Sequence, residues 1–562
     1  MNPEEEDQRR DGAAESILPA FVIAFLFFVP QLSALAVERN RYFLFWSRWD
    51  TLAACAAIAA IGLAGWLIGR LVDRGGGAFL RGARDQAMAV LFGLGLGVNL
   101  LPLLHVPWFL SMVKEHRSTA VYLSKAGLIA LVVAWLGLLL FRRDLMPRLV
   151  RGTCLVLSPL IPILLVPAFF WTSFEVAPDP IPPRPAPAKA GTPVYLFVFD
   201  EWSYERCTDG NDFDPDLAAL RRLRDQAYFF TQARSPSRTT YLSMPELLFQ
   251  SDDFPGLPRV LLDRTDFPEK VPRDAPPYQI TPAAAPDRMP SNLFRLARSR
   301  GYDTVMLGYY LPYRLILGSE VDRVRTYSDY PSGGSFGGRM LNAVIENPHY
   351  WRVPLLSRLW KEAYAPLFSR RWVGLNETLW RDFDAEIAAS PERSFVVLHL
   401  PSPHAPFVFG PDGRYLGPFE VRSRLDEDID VDIMGGTRAD YHRNVQHLDT
   451  IVGRIVDRLR RAGRYDQALV IMTSDHSWRT DPDVPRTAEP GRVRHVPLLI
   501  KVPGQTEPRT VDTPFDGRSL GTIIEAALDG RLDTAAADRL IPEAGEARTV
   551  TAAAGHGDPG GR

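Results

Sequence analysis

The chain has 562 residues and a formal charge of −2, with 46% hydrophobic and 23% charged residues. That balance excludes a disordered protein, a strongly basic nucleic-acid binder and a small disulfide scaffold, and the length leaves room for two or more domains. A mean hydropathy of −0.08 hides a split between an apolar first third and a polar remainder. The three cysteines are Cys55, Cys154 and Cys207, so no disulfide forms within the polar part and compartment is left open.

Long apolar segments cover residues 17–37, 51–71, 86–107, 120–141 and 149–171. Each approaches the ~20 residues that ~30 Å of hydrocarbon requires at ~1.5 Å per residue. Lys125 is the main charge among them. Arginines 9, 10, 70, 74, 81, 84, 142, 143, 148 and 151 fall on one side of the expected spans. The other side holds fewer: Arg39, Arg41, Arg48, Lys114 and Arg117. The positive-inside rule therefore puts the amino terminus (1–16) in the cytoplasm. Five spans (17–172) then put everything after residue 172 outside a cytoplasmic membrane, as a multi-pass protein. Tyr42, Phe43, Phe45, Trp46 and Trp49 read as an interfacial aromatic belt.

Residues 173–192 are rich in Pro and Ala and predict a stiff, extended linker. From 193 to 545, short apolar runs alternate with helical patterns. Val194–Phe199, Thr304–Leu307, Phe395–Leu400, Ala468–Met472 and Pro497–Val502 read as buried strands of a parallel sheet covered on both faces. Tyr441–Ala462 carries Val445, Leu448, Val452, Ile455 and Leu459 at helical spacing, with Gly463 at the stop. Residues 252–292 are dense in Pro and Asp and read as an excursion. The tail 546–562 is expected to be disordered. The fold class is thus an N-terminal five-helix transmembrane domain plus a C-terminal α/β/α sandwich.

Sites in open α/β sheets form outside the carboxyl ends of strands. Here one strand runs into Asp200-Glu201, one into Asp475-His476, and one contains His399 and leads to His404. An Asp after a strand is ordinarily a cap or turn residue, but three strand ends deliver carboxylates and imidazoles to one edge.

The ordered segments VYLFVFDE, SPSRTTYLSMPELLFQ, HLPSPHAPF, YHRNVQHLDTIVGRIVDRL, VIMTSDH and HVPLLIKVPG resemble the sulfatase/alkaline phosphatase superfamily over about residues 193–505. With five spans before them, they look like the lipid A phosphoethanolamine transferases and lipoteichoic acid synthases. The resemblance implies a bound divalent metal and a covalent phospho- or sulfo-enzyme step. Sulfatases carry C/S-x-P-x-R, but in the register that matches Pro236 and Arg238 the nucleophile slot is Arg234, which cannot become formylglycine. The transferases have Thr followed by Ser at +3 and Pro at +5, a spacing met by Thr240, Ser243 and Pro245, with Thr239 the next candidate. Metal coordination lowers the pKa of such a hydroxyl, and Arg238 is close enough in sequence to clamp a non-bridging oxygen.

Carried over from the family, the metal ligands are Asp200 and/or Glu201, Thr240, Asp475 and His476. Ser477 stands where the family has Gly. Mixed carboxylate and imidazole donors suit zinc or manganese, and an oxygen-rich shell would suit calcium or magnesium. His399 and His404 match an H-x-x-x-x-H-x-P segment, which makes His404 the candidate for binding the transferred group or protonating a leaving oxygen. His399 and His495 are further substrate-binding candidates, each also readable as structural. His442 and His447 read as helix-surface residues. The expected function is a membrane-bound transferase or hydrolase of phospho- or sulfo-esters. A membrane lipid is the expected donor and an envelope glycan or lipid the acceptor, with no nucleic-acid partner and the oligomeric state open. The alternatives are a sulfatase and an inactive envelope scaffold.

Overall fold

The computed structural model describes residues 3–36, 46–75, 77–100, 130, 133–138, 140–142, 145–171, 191–250, 292–328, 335–351, 354–419, 436–479, 481 and 494–554. Nearly all of the Pro-rich linker and of the excursion lies outside these residues, as do Tyr42, Phe43, Phe45 and Lys125. The chain forms two compact units, Met1–Glu175 with Tyr330–Ala363, and Val176–Asp329 with Tyr364–Arg562.

The first unit is helical. Its helices are Pro3–Ala36, Arg48–Gly75, Ala78–Leu100, Met146–Leu157, Leu160–Trp171 and Phe336–Glu346. Among the described residues, three stretches are long and apolar enough to cross a membrane: Ile17–Ala34, Arg48–Gly75 and Met146–Phe170. This is fewer than the five expected. The Ala78–Leu100 helix carries Arg81, Arg84 and Asp85, and most of 120–141 lies outside the described residues.

Pro30 inside the first helix has no N–H to give the Leu26 carbonyl. The Asn99 amide supplies that donor at 2.8 Å. In hydrocarbon such a backbone group must find its partner within the protein. The segment after Tyr330 was expected to belong to the catalytic region. It groups instead with the apolar amino-terminal helices, because Ala343 and Met340 pack into a cluster with Phe25, Phe28 and Trp46.

The second unit is built on an eight-stranded sheet. In chain order its strands are β1 (Val194–Asp200), β2 (Tyr228–Phe230), β3 (Asp303–Tyr309), β4 (Arg323–Tyr327), β5 (Ser394–Pro403), β6 (Leu469–Ser474), β7 (Leu498–Lys501) and β8 (Arg509–Val511). Their order across the sheet is β8-β2-β7-β6-β1-β5-β3-β4. β6, β1, β5, β3 and β4 run parallel, while β7 is antiparallel to both β6 and β2. The sheet is therefore mixed, not parallel throughout. β7 is a short, fully buried apolar run, and such a run reads the same in either direction.

Alternate residues of β1 face opposite helical layers. Tyr195, Phe197 and Phe199 join a core with Leu448, Ile451 and Ile455 of the Arg438–Arg461 helix. On the other face, Phe294 of the Leu293–Ser299 helix packs on Phe395 of β5. The long helix opens with a capping box between Thr437 and Asp440, and Gly463 follows its end at φ 68°. At the carboxy terminus a helix runs over Thr534–Ala554, into the region expected to be a disordered tail.

Candidate active site and cation cluster

β6, β1 and β5 are neighbouring parallel strands, so their carboxyl ends emerge side by side at ~5 Å intervals. Hydrogen bonds fasten the loops that follow. The Ser474 hydroxyl donates to the Phe199 carbonyl at 2.6 Å and accepts from the Trp202 amide at 2.9 Å. Asp475 Oδ1 accepts from the amides of Glu201 (3.2 Å) and His476 (2.8 Å). Glu201 sits at φ 64°, a left-handed conformation that costs a side chain about 1–2 kcal/mol. Tyr441 helps hold it there by donating its hydroxyl to the Glu201 carbonyl at 2.6 Å.

Thr240 is the first residue of the Thr240–Phe249 helix, which follows Thr239. The Ser243 hydroxyl, one turn on, donates to the carbonyl of Asp475. The serine at +3 thus ties the start of this helix to the end of β6. Thr240 Oγ1 lies 3.2 Å from His476 Nε2. His476 Nδ1 is 2.9 Å from the Ser477 carbonyl, which can only accept, so Nδ1 carries the proton and Nε2 presents a lone pair. Burial lowers the His476 pKa and keeps the ring neutral. Its Nε2 stands 3.3 Å from Asp475 Oδ2 and 3.7 Å from Asp200 Oδ1.

His399 repeats the pattern. Its Nδ1 lies 3.1 Å from the Tyr309 carbonyl and 2.7 Å from the Tyr313 hydroxyl. Burial lowers its pKa to about 4, so this ring too is neutral, with Nε2 unprotonated. Asp200, His399 and Asp475 each bring one ligand-type atom to within 4.8 Å of one another. Asp200 Oδ1, Asp475 Oδ2 and His399 Nε2 are buried with no hydrogen-bond partner among the described residues. Unanswered buried acceptors of this kind are costly. Burial, and then the nearby Asp475, push Asp200 well above the usual carboxylate range. A divalent cation offsets all of these penalties at once, so the residues present fit one.

Glu201 belongs to a second group. Its Oε1 accepts from Arg479 Nε at 2.8 Å and lies 4.0 Å from His404 Nε2. Burial opposes ionisation of Glu201, but His404 and Arg479 outweigh it and hold the carboxyl at about 2. Burial likewise opposes charging of His404, but Glu201 and Asp200 raise it to about 9. His404 Nδ1 donates to the Ala405 carbonyl at 2.5 Å, which leaves Nε2–H to face the Glu201 carboxylate, 4.0 Å away.

The structure thus brings Asp200, Thr240, His399, Asp475 and His476 into one cluster and sets Glu201 and His404 beside Arg479. Arg238 is half-buried in the turn before the helix, and Thr239 Oγ1 is buried without a partner among the described residues. His495 has the contacts of the structural one of its two readings. Its Nε2 is occupied by the Thr231 carbonyl at 2.9 Å and its ring stacks on Tyr204 at 4.2 Å, which is a structural role. His447 is corrected, being 4% exposed and stacked on Phe409. His442 is on the surface as expected, 2.8 Å from Asp216. Arg479 and Tyr313 were missed. Arg479 stands three positions after His476, so the SDHSWR run held the signal. Tyr313 is brought in by tertiary packing alone.

The sulfatase family model matches residues 202–517. The chain belongs to the sulfatase family. It is accordingly a member of the sulfatase/alkaline phosphatase superfamily. Solved structures similar to this sulfatase-family chain include the phosphonate monoester hydrolase of Agrobacterium radiobacter, at 18% identity, covering 60% of this chain and 74% of that one, with a TM-score of 0.38. Another is the lipoteichoic acid synthase LtaP from Listeria monocytogenes, at 13% identity, covering 62% and 74%, with a TM-score of 0.35. A third is Ps i-CgsB in complex with k-i-k-neocarrahexaose, at 14% identity, covering 61% and 73%, with a TM-score of 0.37. No curated protein matches the chain.

Proposed function

We propose that this sulfatase-family protein is a membrane-held, metal-dependent enzyme that takes a phospho- or sulfo-ester group onto the Thr240 hydroxyl. The observation that carries this reading is the 3.2 Å approach of Thr240 Oγ1 to His476 Nε2, beside the unanswered carboxylate oxygens of Asp200 and Asp475. Asp200, His399, Asp475 and His476 would hold the cation, and their mixed donors favour zinc or manganese. When bound, that ion supplies Lewis acidity and lowers the pKa of the threonine hydroxyl.

The chain's own residues do the rest. The helix N-terminus faces the incoming anion with the positive end of its dipole. Thr240 Oγ1, its proton released to solvent water, forms the new bond to phosphorus or sulfur as the bond to the leaving oxygen breaks. His404, charged at neutral pH, gives its Nε2 proton to that oxygen. Arg479 and Arg238 orient the non-bridging oxygens. A second acceptor then releases the group from Thr240 by the reverse displacement.

Three membrane-length helices favour a lipid donor presented at the bilayer surface, with an envelope glycan or lipid as acceptor. The arginine bias of the sequence supports a cytoplasmic amino terminus and an extracytoplasmic catalytic region. A formylglycine sulfatase is disfavoured because Arg234 is an exposed strand residue bridged to His495. An inactive scaffold is disfavoured because unpartnered buried carboxylates have no structural use.

The test is mass spectrometry of the full-length protein after incubation with phospholipid extract or with aryl phosphate and sulfate esters. An adduct on Thr240 in wild type, absent from Thr240→Ala, supports the reading. Its mass names phosphoethanolamine, glycerol phosphate or sulfate. The same adduct in both proteins removes Thr240 from the mechanism.

A further inference from the structure

The Phe336–Glu346 helix has its polarity reversed. A helix with its outer face in water carries charges outside and apolar residues inside. Here Arg339 and Glu346 turn inward, with the Arg339 side chain 16% exposed and Glu346 8% exposed. Phe336, Leu341 and Val344 turn outward, at 44%, 59% and 39% exposed. At ~100° per residue these three fall within about 140° of one another, an arc with no charged residue in which Met340 is partly buried against the neighbouring cluster.

The inward face is fastened to helices of membrane length. Arg339 Nη1 donates to Asp50 Oδ1 at 2.7 Å and to Ser47 Oγ at 3.1 Å, at the start of the Arg48–Gly75 span. Just after the helix, Trp351 Nε1 donates to the Phe27 carbonyl at 3.0 Å. Phe27 lies inside the Ile17–Ala34 span, roughly 10 Å along the helix from Ala34 at ~1.5 Å per residue. The segment therefore reaches below the helix ends, to the level of Phe27 on one span and of Ala54, Ala57 and Ile58 on the other.

We propose that the Phe336–Glu346 helix, although it follows β4 of the catalytic sheet in sequence, is a lipid-facing element whose outer arc of Phe336, Leu341 and Val344 is covered by bilayer acyl chains. A partner protein would require a mixed polar rim, whereas this arc has no charged residue and its helix is held against two helices of membrane length. A helix inserted in this way ties the sheet to the membrane a second time, independently of the linker 173–192. The proposal does not depend on the chemistry at Thr240.

The experiment uses the wild-type full chain in phosphatidylethanolamine and phosphatidylglycerol vesicles doped with a phospholipid carrying a diazirine in its acyl chain. After photolysis, adducts are mapped by peptide mass spectrometry. We expect adducts on 336–346 at a yield comparable to 61–71. We expect none around Leu416, which is 57% exposed on the other unit. Labelling of 61–71 without 336–346 overturns the proposal. Equal labelling around Leu416 also overturns it, because exposure alone would then explain the adducts.

Discussion

Among the described residues the second unit holds two Asp/His clusters of the same composition, and one of the two has the character of a cation site. Asp214, Asp216 and His442 bring their ligand-type atoms within 4.8 Å of each other, as Asp200, His399 and Asp475 do. In the surface group the Asp216 carboxylate is already answered. Asp216 Oδ2 accepts from His442 at 2.8 Å and from Gln446 at 2.6 Å. In the interior group Asp200 and Asp475 keep bare oxygens at 2% and 0% exposure. Proximity of acids and imidazoles is common on surfaces, where water and neighbours satisfy them. Burial without partners leaves a penalty that a bound ion would offset.

The sharpest way to test this contrast is to separate ion binding from chemistry. Thr240→Ala is expected to lower turnover by roughly 10⁴–10⁶, the scale for removing a nucleophile, while bound metal by elemental analysis stays at the wild-type level. Asp475→Asn is expected to lose both the metal and several kcal/mol of catalysis, roughly 10³-fold or more in rate. Retention of stoichiometric metal by Asp475→Asn would place the ion elsewhere.

Arg479→Ala is expected to cost roughly 10²-fold in kcat/KM, with metal content unchanged, as for loss of one charged donor at the reacting group. Glu201→Gln probes pH. His404 is raised from 6.5 to about 9, so its proton is held below that pH and lost as pH rises through it. Its contribution to stability is complete below about 6.5 and disappears through about 9. Removing the Glu201 charge lowers that pKa, and the basic limb of the pH–rate profile should move to lower pH. A limb that does not move would show that His404 is not the acid. At the small end, Asp216→Asn and His442→Ala are expected to leave metal and turnover unchanged and to shift stability by less than about 1 kcal/mol.

Much of this contrast was legible in the sequence. β1, β5 and β6 are built on apolar runs, and the acids and imidazoles at or near their ends follow from strand polarity. The Arg438–Arg461 helix announced itself through the spacing of Val445 to Leu459. What stayed hidden depends on tertiary placement. β7 runs antiparallel because of its neighbours, and its own residues do not encode that. Asp200 and Glu201 are adjacent carboxylates, and only the left-handed turn at Glu201 sends one to the cluster and the other to Arg479. His495 looked like a site residue because it precedes a strand, yet Tyr204 and the Thr231 carbonyl claim its ring. The Phe336–Glu346 helix escaped notice because its apolar residues read equally well as core or as lipid-facing surface.

The most direct measurement is anomalous X-ray diffraction from crystals of the full chain, collected above and below the absorption edge of the metal it purifies with. A single strong peak between Asp200, Asp475 and His476, next to the Thr240 hydroxyl, is the predicted result. A peak at Asp214, Asp216 and His442 with nothing at the buried cluster would contradict the account.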